Sequence, residues 1–400
     1  MKILHWDEMF HPSFGYQINI LSKFQARQGH EVIILTSENV EFHPTFKSFG
    51  NNDDIEEQDK IFSETYNVKV IRLPIHTVIS GRVIYKKGYI DKIISLKPDV
   101  IMCHTNDTLS AMRIAQQYKK INIPIVFDNH MLEMASKNPF RKIFRWYFRR
   151  FITPLIKKNK WVVIRTQDDD YINKHLGIPM DQTPFLSFGS DTTLFYPNDE
   201  IKSSQRNLLD IKEDDFVVIY TGKLSKEKGG LLLAETFKEQ ISKIRETVLI
   251  VVGNSVGEYG EKVEEVFSES KNRIIRFPTQ RYIDLPVFYQ MSDLCVFPKQ
   301  ASLSFYDAQS CALPVISENN KVNIDRLNFG NGYNFVADDI NDLRQKIKMC
   351  AEMSYDEYRK LKENALSFIE NNYDYRDIAD QYTHLLELEV KKFESKKKRK

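Results

Sequence analysis

The stretch Thr221-Gly222-Lys223-Leu224-Ser225-Lys226-Glu227-Lys228-Gly229 holds the residues of this chain best suited to chemistry. An apolar run with strand character, Phe216–Tyr220, leads into it, and an apolar run with helical character, Leu231–Phe237, leaves it. Gly222 and Gly229 let backbone approach a ligand closely. Lys223 and Lys228 add cations beside a helix start, where free amides already favour anions. The combination suits a diphosphate. Roughly eighty residues further on, Ser304-Phe305-Tyr306-Asp307 supplies hydroxyls and a carboxylate, and Lys299-Gln300 precedes it. Each feature also has a plainer reading: solvated surface lysines, hydroxyls that cap a helix, and an aspartate stabilised by a helix dipole.

Further candidates sit at predicted strand ends in the first half. Gly15 closes His11-Pro12-Ser13-Phe14-Gly15, a loop after the first strand. His130, in Phe127-Asp128-Asn129-His130-Met131, could hydrogen-bond a hydroxyl through its imidazole, or could be structural; Glu133 follows it, and His104 ends another strand. Gly253-Asn254-Ser255-Val256-Gly257 follows the Thr247–Val252 strand without forming a G-x-G-x-x-G fingerprint. No H-E-x-x-H occurs, and no Ser-His-Asp set has a distinctive local signature.

The elements that must carry these residues are legible as an alternation. Short apolar runs at Ile3–His5, Val32–Leu35, Val68–Leu73, Val100–Cys103, Ile125–Phe127 and Trp161–Ile164 alternate with helical patterns such as Tyr16–Gln28 and Thr108–Lys119. The second half repeats this, with strands at Val217–Thr221, Thr247–Val252, Ile274–Phe277, Leu294–Phe297 and Pro314–Ile316 and helices at Leu231–Ile244 and Gly260–Ser270. Such βαβ order predicts parallel sheets covered on both faces. The reading is α/β: two doubly wound Rossmann-like domains facing a central cleft, with ligands beyond the carboxyl ends of the strands. A linker is expected near Phe195–Arg206, around Pro197, and residues 38–66 read as a long loop.

Composition bounds the function. Lys+Arg number 57 and Asp+Glu 55, a balance that argues against a nucleic-acid partner. Cys103, Cys295, Cys311 and Cys350 lack metal or disulfide spacing, which fits a reducing, cytoplasmic setting. The first residues lack the core of a signal peptide, and no run approaches the ~18 apolar residues of a membrane span. Residues 139–160 contain Arg141, Lys142, Arg145, Arg149, Arg150, Lys157, Lys158 and Lys160 and no acid. A helical wheel groups Phe140, Ile143, Phe144, Tyr147, Phe148, Phe151 and Leu155 opposite Arg141, Lys142, Arg145 and Arg149. That pattern fits either a peripheral helix on an anionic membrane surface or a helix with an aromatic core face.

Taken in order along the chain, several segments resemble the retaining glycosyltransferases of family 4, with the GT-B fold. They are His11-Pro12-Ser13-Phe14-Gly15 with Gly29-His30-Glu31-Val32; Lys97-Pro98-Asp99-Val100-Ile101 with His104; Gly189-Ser190-Asp191 through Phe195-Tyr196-Pro197; the Gly222–Gly229 loop; Ser292-Asp293-Leu294 with Pro298; and Gly330-Asn331-Gly332. The resemblance implies an acceptor-binding domain over 1–197, a nucleotide-sugar domain over 207–370, and a last helix, 371–395, returning to the first domain. It implies that Lys223, Lys228 and Gly222 hold the donor diphosphate, with Gly15 approaching it. Asp307 takes the place of the family's ribose-binding glutamate, Ser304 lies near the sugar, His130 stands as a catalytic group near the sugar's reacting carbon, and His130 and Glu133 stand on the acceptor side. Lys299 falls where the family has a first glutamate, and lysine replaces the commoner arginine at Lys223. The implied reaction moves a hexose or N-acetylhexosamine from a nucleotide diphosphate sugar to a glycan or lipid-linked glycan, without a metal cofactor. A non-catalytic glycan- or partner-binding module and a sugar-nucleotide epimerase are the other readings.

Overall fold

The computed structural model describes residues 1–38, 55–79, 82–131 and 140–398. Two compact units divide these residues: Met1–Phe188 with Tyr375–Lys400, and Gly189–Asp374.

In the first unit the strands are β1 (Lys2–Trp6), β2 (Glu31–Ser37), β3 (Val68–Leu73), β4 (Ile75–Ile79), β5 (Arg82–Tyr85), β6 (Val100–Cys103), β7 (Ile125–Asn129) and β8 (Val163–Arg165). Six form a parallel sheet in the order β3-β2-β1-β6-β7-β8. Alternation along β2 explains why it is buried on both faces. Ile33 and Leu35 join a core with Leu4, Trp6, Ile101 and Phe127, while Val32 and Ile34 join Phe10, Ile18 and Phe62 on the other side. β4 and β5 make an antiparallel pair that the sequence reading did not anticipate. The 38–66 segment is not all loop: Ile55–Tyr66 is a helix with Phe62 buried, and residues 39–54 lie outside the described set.

In the second unit the strands are β9 (Phe216–Thr221), β10 (Thr247–Val252), β11 (Arg273–Phe277), β12 (Leu294–Phe297), β13 (Val315–Glu318) and β14 (Gly332–Phe335). They form a parallel sheet in the order β11-β10-β9-β12-β13-β14. Phe216, Val218, Tyr220, Leu249, Val251, Leu294 and Val296 share its core. Both sheets therefore have the doubly wound order in which the first strand is central and the chain reverses direction beside it. The reversal falls between β1 and β6 in one unit and between β9 and β12 in the other.

The expected linker near Phe195–Arg206 is instead mostly helix. Asp199–Leu208 is helical because Asn198 accepts from the Ile201 amide as N-cap and Asp199 and Glu200 favour the first turn. Residues 189–197 belong to the second unit, held by Ser310 Oγ donating to the Phe195 carbonyl at 2.6 Å and Gln290 Nε2 to the Tyr196 carbonyl at 2.9 Å. The last helix, Tyr375–Lys398, packs with the first unit: Gln17 Nε2 donates to Tyr382 Oη at 2.6 Å, and Thr383 Oγ1 to Gln28 Oε1 at 2.8 Å.

Asp293 fastens the Asp199–Leu208 helix to the sheet. Its carboxylate accepts from Lys202 Nζ, Arg206 Nη2 and the Val217 amide at 2.7, 2.7 and 2.8 Å. Burial works against the carboxylate, but Lys202 and Arg206 outweigh it and hold the group below its ordinary 3.8. Its stabilisation is thus full above that value and fades as pH falls below it. Asp293→Ala strands the buried Arg206 cation. It is expected to destabilise the protein by about 3–5 kcal/mol in chemical denaturation at pH 7, with a much smaller difference near pH 2. A loss under 1 kcal/mol at pH 7 would contradict this account.

Candidate functional site

The second unit's loop is built at the switch point. β9 runs out at Thr221, and the chain continues to pair briefly with the neighbouring strand's exit. The Gly222 amide donates to the Val252 carbonyl at 3.0 Å and the Leu224 amide to the Asn254 carbonyl at 3.1 Å. Leu224 plugs the core at 2 % exposure, and Tyr220 Oη donates to the Lys223 carbonyl at 2.8 Å. The loop then closes with the Lys228 and Gly230 amides on the Ser225 carbonyl. Gly229, at φ +77°, caps the helix Gly230–Lys238 in a left-handed conformation.

Glycine is required here by contact as well as by backbone angle. A Cβ on Gly229 would stand 2.9 Å from Pro298 Cβ and 3.0 Å from Lys299 Cγ, so the loop lies directly on the segment after β12. A Cβ on Gly253 would stand 1.9 Å from the Gly222 carbonyl oxygen. The two lysines are close enough to feel each other. Burial, and then Lys223, lowers the Lys228 ammonium from its ordinary value, and burial lowers Lys223. Two partly buried cations beside a helix N-terminus make a site that gains by taking up an anion.

The remaining donor-side candidates divide. Ser304 opens the helix Ser304–Ser310 and bonds the buried Tyr289, which also meets Thr221 Oγ1 at 2.7 Å; this ties that helix to the end of β9. Lys299, standing where the family has a glutamate, forms an ion pair with Asp338. Asp307 is 5 % exposed, and its Oδ1 accepts from Ser190 Oγ at 3.0 Å and Tyr282 Oη at 3.1 Å. Burial pushes its carboxyl up to about 7 despite those two donors.

In the first unit the carboxyl ends of β1, β6 and β7 gather a polar cluster that sequence reasoning only touched. His104 Nδ1 lies 2.9 Å from Asp128 Oδ2, and His104 Nε2 lies 2.9 Å from His5 Nδ1. His130 Nε2 lies 3.3 Å from Asp128 Oδ1 and 2.8 Å from Gln17 Oε1. Burial, with His104 beside it, pushes His5 down to about 3. Burial disfavours the Asp128 carboxylate, yet His130 and His104 hold it well below the usual range. Burial also disfavours an imidazolium at His130, but Asp128 prevails and raises it above 6.5. Among the described residues, His104, Asp128 and His130 are the group whose ligand atoms, all within 4.8 Å of one another, could hold a metal ion. Gly15 lies in the loop between β1 and the helix Gln17–Arg27, partly exposed. Glu133 lies outside the described residues. Gln17, Gln25, Asp128 and Tyr382 carried little signal. Their one mark was polarity inside apolar segments, which spacing does not decode.

Residues 201–368 match the family described as Glycosyl transferases group 1, and residues 16–193 match Glycosyltransferase Family 4. The chain belongs to the family 4-like glycosyltransferases. Among curated relatives, it is 32% identical over 126 residues to a lipopolysaccharide 1,2-N-acetylglucosaminetransferase of Salmonella typhimurium, covering 30% of this chain and 32% of that protein. It is 25% identical over 173 residues to a D-inositol 3-phosphate glycosyltransferase of Rhodococcus jostii, covering 41% and 38%. These matches span well under half of either relative's length. Among solved structures, a glycosyltransferase from Rickettsia africae superposes with a TM-score of 0.74 at 16% identity, covering 98% of each chain. Anabaena HepE, in complex with UDP and glucose, gives 0.73 at 18%, covering 97% of this chain and 99% of that one. The fold is thus GT-B, with two Rossmann-like domains.

The Asp307 carboxyl gives this family member a pH signature. A folded-state value raised to about 7 means that its contribution is full below the ordinary 3.8 and is lost as pH rises through 7. Asp307→Asn is expected to match the parent's stability at pH 4. At pH 8 it should exceed the parent by about 1–4 kcal/mol in ligand-free chemical denaturation. Equal stability at both pH values would refute the burial argument.

Proposed function

We propose that this protein is a retaining glycosyltransferase that moves a hexose or N-acetylhexosamine from a nucleotide diphosphate sugar to a glycan acceptor in cell-envelope or surface polysaccharide synthesis. The observation that carries the reading is the paired, partly buried Lys223 and Lys228 on a loop that ends in a helix N-terminus. As the bond between anomeric carbon and diphosphate oxygen breaks, negative charge grows on that oxygen. Cations and amides already fixed in place stabilise the charge without reorganising. Gly222 and Gly229 let those groups reach the phosphates, Ser304 lies toward the sugar, and Asp307 toward the ribose. On this proposal the lysines supply the charge that a metal would otherwise supply.

On the acceptor side, His130 meets a sugar hydroxyl, and the first unit, with Gly15 and Glu133, carries the glycan. Retention follows from front-face attack. The acceptor hydroxyl forms its bond on the face the diphosphate leaves, and its proton passes to the departing oxygen. The protein contributes positioning and charge stabilisation rather than a covalent intermediate. Lys228→Ala is expected to lower transfer at least ~100-fold in an assay of nucleotide release with acceptor present. Near-normal turnover would contradict the site, and glycan binding without turnover would favour a binding module instead.

The acceptor suits a lipid-linked glycan at an anionic membrane surface. The structure redraws the face that would meet it. Phe148 is buried, and Phe144, Tyr147 and Leu155 pack against the core, whereas Phe140, Ile143, Trp146 and Phe151 are exposed beside Arg141, Lys142, Arg149 and Arg150. A π-helical turn at Phe148–Ile152 breaks the regular wheel, and Phe140, Ile143 and Phe151, which the wheel grouped with the core-facing Phe144, Tyr147 and Phe148, are exposed. No helix among the described residues is long and apolar enough to cross a membrane. The protein is expected to sediment with phosphatidylglycerol vesicles but not phosphatidylcholine vesicles. Trp146→Ser with Arg149→Ser should release it, and binding indifferent to both changes would refute the contact.

A further inference from the structure

We propose that a buried chain of side chains fixes the tautomer of His130, so that Nε2 carries the proton and Nδ1 is the atom offered to a sugar hydroxyl. The inference rests on the reading above that His130 meets substrate, and deepens it by naming the atom and the residues that aim it.

The argument starts from a group with no choice. A backbone carbonyl can only accept, so at 2.9 Å from the Leu186 oxygen the Tyr382 hydroxyl must donate to it. Having spent its one proton there, the Tyr382 oxygen accepts from its other neighbour, the Gln17 amide nitrogen, at 2.6 Å. The Gln17 carbonyl is thereby turned toward His130 Nε2, 2.8 Å away, and an acceptor so placed requires N–H on that nitrogen. The amide orientation, normally a matter of choice, is settled by a carbonyl two contacts away.

Asp128 holds the same N–H from the other side, with Oδ1 at 3.3 Å. The carboxylate is itself immobilised. Oδ1 accepts from the Thr105 amide at 2.7 Å, and Oδ2 faces His104 Nδ1 at 2.9 Å. His104 is backed by His5, and His5 Nε2 meets Gln25 Oε1 at 2.7 Å. Thr105 sits at φ +60°, an uncommon angle for a β-branched residue, and this bend aims its amide at Asp128. Gln17, Tyr382, Asp128, His104, His5 and Gln25 are all buried, while the His130 side chain is 32% exposed. Among the described residues, no hydrogen bond engages His130 Nδ1.

In the neutral ring Nδ1 therefore holds a lone pair and accepts a hydroxyl proton; in the imidazolium it cannot. The charged and titratable groups around His130 are Asp128, Asp7, Asp107 and His104, with the Phe188 ring edge-on at 5.1 Å. Asp128 acts most strongly of the carboxylates to raise His130. Gln17, Tyr382 and Asp128 are positioning residues, and His130 touches substrate.

The test is nitrogen NMR on full-length protein with labelled histidine, with the His130 signals identified by their loss in His130→Asn. The parent should show the Nε2–H tautomer. Asp128→Asn should keep the Nε2–H tautomer, because Gln17 Oε1 still accepts from that nitrogen. Tyr382→Phe removes one hydroxyl, frees the Gln17 amide to turn, and should give mixed tautomers with kcat down about tenfold and KM little changed. It carries the test if Asp128→Asn does not fold. An Nδ1–H tautomer in the parent, an unchanged tautomer in Tyr382→Phe, or one equivalent of zinc retained at these residues through dialysis would overturn the inference. His130→Asn with full transfer activity would instead sink the substrate reading, leaving the tautomer result standing.

Discussion

The candidate donor-side loop depends on how closely two loops approach at one reversal of the second sheet. β9 lies between β10 and β12, so the chain leaves β9 beside two exits at once. The Gly222 carbonyl occupies the space a Cβ on Gly253 would need, and Gly229 lies against Pro298 and Lys299. Hydrophobic strands create this approach and glycines permit it. Once made, it lifts Lys223 and Lys228 partly out of water beside the first turn of a helix. Their lowered ammonium values and their suitability for an anion have the same origin, a loop packed against its neighbour.

The first unit solves a different problem with the same topology. Its reversal, between β1 and β6, brings His5, His104, Asp128 and His130 to strands and strand ends that are far apart in sequence. Buried polar groups are costly unless each is paired; here His5, His104, Asp128 and His130 each face another polar group, while Gln25 Nε2 has no hydrogen-bond partner among the described residues. The result is a chain of contacts at the carboxyl end of the sheet that holds His130 from two sides. The last helix takes part, because Tyr382 reaches Gln17, which explains why the end of the chain packs with the first unit.

Departures from the family pattern read differently once packing is visible. Lys299 in place of a glutamate pairs with Asp338, and Asp307, a methylene shorter than glutamate, is drawn inward by Ser190 and Tyr282. Both changes are accommodated by local partners without disturbing the sheet. The basic aromatic segment shows the opposite case. Its charge was plain in the sequence, but a π-helical turn and core contacts decided which aromatics face outward.

The alternation of apolar runs determined both Rossmann-like units and most strand positions, because a parallel strand buried on both faces writes itself as a hydrophobic run. Glycines and lysines at Gly222–Gly229 marked the candidate anion loop for the same local reason: conformation and charge are properties of neighbours in sequence. The helix at Asp199–Leu208, the antiparallel β4–β5 pair, the state of Asp307 and the chain from Gln25 to Leu186 were decided only by the tertiary structure. Each depends on partners brought together by sheet order, and the burial that raises Asp307 and the Asp128 contact that raises His130 against burial exist only after folding.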